Sequence, residues 1–393
     1  MGPTLGATLC TRLLLVFMRK LLYLFFSMAL VAALTTYAMW AADRPAGHYL
    51  SDLRIKLAVD QGTPADRGNL LGIQPELFPT DYQSSARLHR KLAAYLQQAR
   101  DQGLLNEKTV VVLPEHVGTW LMISGEKDEL YQAPTLAEAM NWLAASNPLL
   151  FARAWLSAKG EQRLDDAHLR MKSKAMAKDY QALFGGLAKE FQVTLVAGSI
   201  VLPEPSIRDG QLKPGSGALF NSSVVFGRDG VPLGQPQRQM HPIFDQQGVI
   251  KAEDKHAIQV VDTPAGRLGI LIGSDSWYPA NYRTLDEQGA QLVAVPAQVI
   301  GQGAWDKPWR GYKGSSTPGS VSLKPGDLSE GQAWHRLTLT AQPPSSRAIA
   351  GVSVFMRGQF WDKPSTGRSF LSSNGQQFAD GETRGARLLN VWL

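Results

Sequence analysis

An apolar run, Thr109-Val-Val-Val-Leu113, ends at Pro114-Glu115. A carboxylate just past the C-terminal end of a buried strand faces the crevice where open α/β sheets bind ligands. Glu115 is therefore the first candidate for acid–base work. His116 follows it directly and reads either as a second polar group of that site or as a solvated loop residue. A later run, Arg267-Leu-Gly-Ile-Leu-Ile272, leads into Gly273-Ser274-Asp275-Ser276-Trp277. Ser274 or Ser276 could attack a carbonyl only with a base in hydrogen-bond reach, because a free hydroxyl is a weak nucleophile. No Gly-x-Ser-x-Gly elbow stands in a strand–helix setting. Between the two runs lies Arg238-Gln239-Met240-His241, which offers a permanent cation, an amide and an imidazole.

Other chemistries are bounded by what is missing. The single cysteine, Cys10, lies in the N-terminal leader. The body of the chain therefore offers no thiol nucleophile, no intramolecular disulfide and no Cys-based zinc site. His241, Asp245 and His256 do not fall at a convincing ligand spacing, so no metal is expected. There is no phosphate-cradling glycine motif and no cofactor is expected. The net charge of +6 comes from Lys and Arg spread along 393 residues. Nucleic-acid binding would call for a clustered basic face, so that class of partner is not expected.

These residues need elements to hold them. Leu53 to Asp60 alternates like a half-buried strand, and Ser84 to Gln102 carries Leu88, Leu92, Tyr95 and Leu96 at helical spacing. Helices are expected over 136–158 and 171–192, with strands at 109–113, 193–197, 219–226, 257–262, 267–272, 290–295 and 351–356. Arg228-Asp229-Gly230 reads as a hairpin turn, and Ser373-Asn374-Gly375 as another. Residues 121–170 form an insert that is harder to place. Its apolar surface, with Trp142 and Trp155, reads as core packing, a membrane-surface face or a pocket cover. Residues 300–330 read as a long loop. Alternating helices and strands fit an α/β sandwich with two central sheets.

The N-terminus adds a membrane question. Leu21 to Ala42 is an uncharged run of 22 residues that follows Arg12, Arg19 and Lys20. As a helix it spans about 33 Å, enough for a bilayer's hydrocarbon core. The preceding cations place the N-terminus in the cytoplasm and the remainder outside. The length of the run and the lack of a clean small-x-small site favour an uncleaved signal anchor over a cleaved signal peptide. The expected organisation is a cytoplasmic stub and transmembrane anchor over 1–45, then one domain over 46–393. That gives a single-pass inner-membrane protein with a periplasmic domain.

The order of segments is specific. A strand ending in Gln61, the Pro114-Glu115 strand end, Gly198-Ser199, an Asn-Ser-Ser strand with its Asp-Gly hairpin, and a basic-His-Pro segment occur in that order. Gly273-Ser-Asp275 with Tyr278-Pro279, Gly289-Ala-Gln-Leu-Val-Ala-Val-Pro296, Arg347-Ala348, Gly367-Arg-Ser369 and Asn374-Gly375 follow. Over roughly residues 53–390 this resembles the carbon–nitrogen hydrolase (nitrilase/amidase) superfamily. The resemblance implies a nitrilase-like four-layer α-β-β-α sandwich, here preceded by one transmembrane helix, and suggests a homodimer through its helices. It also implies a Glu–Lys–Cys triad for acyl transfer. Glu115 falls at the general-base position. Gln239 stands where the lysine is expected and Gly273 where the cysteine is expected. His116, Arg238, His241, Asp275 and Trp277 become candidate binding residues around them.

With two of three positions changed, three readings stand side by side. The chain is a degenerate member that binds a small amide or acyl-amine ligand, or a partner, without hydrolysis. Alternatively it is a rewired amidase or N-acyl hydrolase, with Glu115 activating water, or with Ser274 as nucleophile, and with Gln239 or Arg238 as oxyanion donor. In the third reading it is a structural subunit docking through its tryptophans.

Overall fold

In the computed structural model the described residues are 4–44, 50–160, 162–243, 248–253, 258–312, 317–319, 322–339, 348–381 and 384–393. The chain opens with a helix, α1 (Thr4–Ala42), whose Leu15–Ala42 stretch is long and apolar enough to cross a membrane. Strands β1 (Ile55–Gln61) and β2 (Asn69–Gln74) follow, then helix α2 (Ser85–Asp101) and strand β3 (Val110–Val112). The insert carries α3 (Leu136–Ser146), α4 (Pro148–Ser157) and α5 (Arg163–Met171), and α6 (Ser173–Tyr180) and α7 (Gly186–Phe191) follow it. Next come β4 (Thr194–Val196), β5 (Ile200–Pro203), β6 (Leu219–Phe226) and β7 (Pro232–Arg238). The second half holds β8 (Val260–Thr263), β9 (Gly266–Ile270), α8 (Pro279–Glu287), β10 (Leu292–Ala297) and α9 (Glu330–Leu337). It closes with β11 (Ala350–Phe355), β12 (Phe370–Ser373), β13 (Gln376–Ala379) and β14 (Ala386–Trp392).

Two sheets result. An eight-stranded sheet runs β1-β14-β2-β3-β4-β6-β7, with β5 also on β6, and a six-stranded sheet runs β8 through β13 in chain order. The last strand is inserted between the first two, parallel to β1 and antiparallel to β2. The sheets face each other: Leu70, Val110 and Val196 of one share a core with Ile270, Val352 and Leu371 of the other. They approach closely at Gly72, where a β-carbon would lie 2.7 Å from Val352 Cγ2. Helices cover the outer faces. Leu88, Leu92 and Leu96 of α2 pack with Tyr180, Phe184 and Leu187 behind the first sheet. Each such leucine is worth about 2 kcal/mol of burial. Tyr282, Leu285 and Trp334 pack behind the second.

Local chemistry explains the ends of these elements. Ser84 caps α2 by accepting from the Arg87 amide at 3.2 Å. The single helix expected over 136–158 is two, because Pro148 lacks the amide that would continue α3 and starts α4 instead. The helix expected over 171–192 is continuous from Ser173 to Phe191: α6 passes into α7 through a wider, π-helical turn at Gln181–Gly185 that keeps right-handed helical backbone. Asn374 and Gly375 both take positive φ, 48° and 81°, and close the β12–β13 hairpin as a tight turn of the type favoured between twisted strands.

Candidate functional site

Glu115 leaves the end of β3 and is buried. The neighbouring strand exit sets its position. Gly198 follows β4 with φ +61°, and a β-carbon there would lie 2.0 Å from the Pro114 carbonyl oxygen, so only glycine lets the two strand ends pass. Ser199 Oγ then accepts from the His116 amide at 2.8 Å, which pins the turn after Glu115.

Gln239 comes one residue after β7 and is buried as well. Asn221 of β6 bridges it to the acid: its Nδ2 donates to Glu115 Oε1 at 2.8 Å and to Gln239 Oε1 at 3.1 Å. Gln239 Nε2 donates to the Ile272 carbonyl oxygen at 3.3 Å. Gly273 comes next, at φ +53°. A β-carbon on Gly273 would stand 2.9 Å from Glu115 Oε2 and 3.3 Å from Gln239 Nε2. The three residues singled out along the sequence thus meet at one point, and the central one has no side chain.

The hydroxyls nearby are turned elsewhere. Ser274 Oγ donates to the His241 carbonyl oxygen. Ser276 Oγ donates to the Gly273 carbonyl oxygen at 2.7 Å and shares a 2.8 Å bond with Thr338 Oγ1. Asp275 is a brace. Its carboxylate accepts from the Met240 amide at 3.0 Å, the His241 amide at 2.7 Å and His241 Nδ1 at 3.2 Å. Burial pushes the Asp275 carboxyl above its ordinary range, and these donors work against that shift. The brace ties the Gln239 segment to the Gly273 turn, and His241 is held flat on Tyr278 with ring centroids 3.6 Å apart. Arg238 lies outside the cavity lining, paired with Glu253 at 2.7 Å and seated over the Phe220 ring. Trp277 is packed edge-on among Trp309, Tyr312 and Trp334.

A cavity of about 580 Å³ opens over Glu115, His116, Gln239, Gly273 and Ser274. Its walls are largely apolar, with Trp120, Met140, Leu169, Ile243, Ile250 and Val299. Asp165 and His168 of α5 line it too. Neither they nor Asn221 stand out as chemistry in the sequence. For Asn221 a signal existed: Asn221-Ser222-Ser223 interrupts a strand that is buried along its whole length. Among the described residues no group of three or more His, Cys, Asp or Glu is placed to hold a metal ion. Asp245 and His256 lie outside the described residues.

Burial lowers the His116 imidazole to about 4. Its Nδ1 is 3.1 Å from Thr119 Oγ1 and its Nε2 is 3.6 Å from Glu115 Oε1. The folded state therefore holds a neutral ring, while the unfolded chain protonates near the ordinary value of about 6.5. The stability this contributes is complete above about pH 6.5 and is lost as pH falls towards 4. His116→Asn should tolerate the positive φ of 61° and remove the effect. From pH 7 to 4.5 the wild type should lose about 2 kcal/mol more than the variant, read from urea denaturation at each pH. Equal losses would mean the ring is not buried neutral.

A buried acid, a buried amide and a position without a side chain meet at the strand ends of two face-packed sheets, which defines an α/β protein with a polar niche at the floor of an apolar cavity. The chain belongs to the carbon–nitrogen hydrolase family, whose sequence profile matches residues 32–316. It is 26% identical over 203 residues to a deaminated glutathione amidase of Yersinia enterocolitica, covering 47% of this chain and 64% of that protein. It is 28% identical over 119 residues to a probable hydrolase, YhcX, of Bacillus subtilis, covering 30% of this chain and 21% of that one. The matched part thus spans less than two thirds of either relative. An amidase structure from Nesterenkonia sp. overlays with a TM-score of 0.47 at 14% identity, over 84% of this chain and 92% of that one. Nit3 of Saccharomyces cerevisiae, from branch 10 of the nitrilase superfamily, overlays with a TM-score of 0.48 at 15% identity, over 82% and 89%.

Proposed function

We propose that this chain is a membrane-anchored carbon–nitrogen hydrolase family member that binds an amide or acyl-amine ligand without hydrolysing it. The observation that carries the reading is Gly273. The family's nucleophile position holds no side chain, yet a β-carbon there would lie within 2.9 Å of the retained acid. The hydroxyls that could substitute, Ser274 and Ser276, donate to backbone carbonyls. What remains is a binding geometry. The Glu115 carboxylate can accept an amide N–H, and the Gln239 amide can donate to its carbonyl oxygen. The apolar walls suit a ligand with a hydrocarbon arm.

The helix–sheet–sheet–helix order supports the four-layer sandwich within this proposal. The apolar α1, with Arg19 and Lys20 before it, supports an anchor whose main domain lies outside the cytoplasm.

The test uses full-length protein in detergent micelles, with acetamide, hexanamide and N-butylhexanamide as probes. Calorimetry should show tighter binding as the apolar arm lengthens, weakened at least ~10-fold in Glu115→Ala, where a charge-assisted hydrogen bond is lost. No ammonia or butylamine should appear. Release of either product that disappears in Glu115→Ala would overturn the proposal in favour of a rewired hydrolase. Absence of binding by all three probes would reject the ligand class.

A further inference from the structure

Helix α4 is built unlike the other helices of the domain. Five of its ten residues are large and apolar: Leu149, Leu150, Phe151, Trp155 and Leu156. Only Ala154 is buried, while Leu149 is 85% and Leu156 83% exposed. Trp142 of α3 and Leu164 of α5 extend this exposed apolar surface. Phe151 leans inward on the core and on His168, but the other four large side chains are exposed, and such a patch marks a surface meant to be covered.

The neighbouring contacts say what covers it. The C-terminal end of α1 is fastened beside the start of α4. Tyr37 Oη donates to the Ala145 carbonyl oxygen, and the Trp40 and Trp142 rings lie 6.1 Å apart. Just past the end of α1, Arg44 donates to the carbonyl oxygens of Gly125 at 2.9 Å and Ser146 at 3.2 Å, and to Asn147 Oδ1 at 3.1 Å. Asn147 is the residue immediately before α4. If α1 spans a bilayer, its apolar run ends at the outer surface of that bilayer, and α4 starts at the same level.

The side chains at this level are those of a membrane–water interface. Tyr37, Trp40, Trp142 and Trp155 supply amphipathic rings. Arg153 and Arg163, both exposed, supply cations for anionic headgroups. Lys127 sits over the Trp40 ring at 4.6 Å and Arg163 over Trp155 at 5.0 Å.

We propose that α4 lies in the bilayer interface, with Leu149 and Leu156 among the acyl chains, as a second membrane contact beside the α1 anchor. The proposal rests on the reading of α1 as a membrane span. Its consequence concerns the cavity: Met140 of α3 and Leu169 of α5, the helices that flank α4, form part of the cavity wall. The lipid surface and the binding site therefore share one helical segment.

The test is site-directed spin labelling of the full-length chain in vesicles of phosphatidylcholine mixed with anionic phosphatidylglycerol. Cys10→Ser removes the only native thiol. Single cysteines are then introduced by Leu149→Cys, Leu156→Cys, Leu30→Cys in α1, and Asp262→Cys at an exposed site on β8. All four positions are exposed, so the substitutions leave packing intact. Collision rates with lipid-soluble oxygen and a water-soluble nickel chelate report depth. Labels at 149 and 156 should favour oxygen several-fold over the label at 262 and resemble the label at 30. If 149 and 156 match 262 while 30 favours oxygen, the α4 proposal fails and the anchor stands. If 30 itself favours the nickel chelate, the anchor reading fails and takes this proposal with it. If 149 and 156 are shielded from both reagents, a protein surface such as a second copy covers the helix, and the lipid assignment is overturned.

Discussion

Gln239→Lys combined with Gly273→Cys, in a Cys10→Ser background, is expected to release ammonia from hexanamide at least ~100-fold faster than either single variant. The geometry is in place for it. The β-carbon of residue 273 would stand 2.9 Å from Glu115 Oε2 and 3.3 Å from the present Gln239 Nε2. A thiolate there would have a base on one side and, with the second substitution, a cation on the other. The cation lowers the thiol's pKa and offers charge to a developing oxyanion, which a glutamine amide does not. Groups that act as a unit lose most of their effect when any one is missing, so each single variant should stay near background. The cost is conformational. Residue 273 sits at φ +53°, where a side chain is strained by about 1–2 kcal/mol, and the Glu115 carboxylate must give way slightly. That cost falls on stability, which circular dichroism and thermal unfolding would register. Intact-mass detection of iodoacetamide alkylation at residue 273 would show that the thiol is reachable. A folded, alkylated double variant no faster than the single ones would show that more than two groups separate this cavity from a working amidase.

The same site shows how far local pattern carries. Arg238 and Gln239 are adjacent at the end of an extended strand, where side chains alternate between faces. In the fold, Arg238 meets Glu253 while Gln239 meets Asn221. Glu115 was legible because an all-valine strand followed by Pro-Glu is a local signal. Asn221 left only a trace, a polar Asn-Ser-Ser stretch inside a strand, because its meaning lies in two partners 106 and 18 residues away along the chain. The strand β14 is a similar case. Its sequence Ala-Arg-Leu-Leu-Asn-Val-Trp is compatible with a strand, but no local feature places it between β1 and β2, more than 300 residues earlier. Asn390 Oδ1 accepts from Asn69 Nδ2, and Asn390 Nδ2 donates to Asp60 Oδ1 at 2.7 Å, so the register is set by polar side chains that meet only after the sheet closes. The split at Pro148, by contrast, was written in a single residue that a count of apolar positions passes over.

Glu126→Ala should destabilise the protein by about 3 kcal/mol, the largest loss expected from any single change near the anchor. The Glu126 side chain is fully buried and holds three elements at once. It accepts from Arg44 at 2.9 Å, from Lys172 at 2.7 Å and from Asn147 Nδ2 at 2.9 Å. Arg44 brings the end of α1, Asn147 the α3–α4 junction, and Lys172 the α5–α6 junction. Removing the carboxylate leaves two cations facing each other without their counter-charge. Breaking a buried pair in this way typically costs about 3–5 kcal/mol. Arg44 is 28% exposed and can rehydrate, which sets the estimate at the lower end. Urea denaturation of the full-length protein in micelles, followed by tryptophan fluorescence, would read the loss. Glu126→Ala with Lys172→Met should recover most of it, because the second change removes the stranded charge and keeps the packing of its stem. Such recovery is a coupling that independent sites would not show. A loss below about 1 kcal/mol in Glu126→Ala would mean that the ion pairs only decorate the junction, and that apolar contacts such as Trp40 on Trp142 hold α1 to the domain.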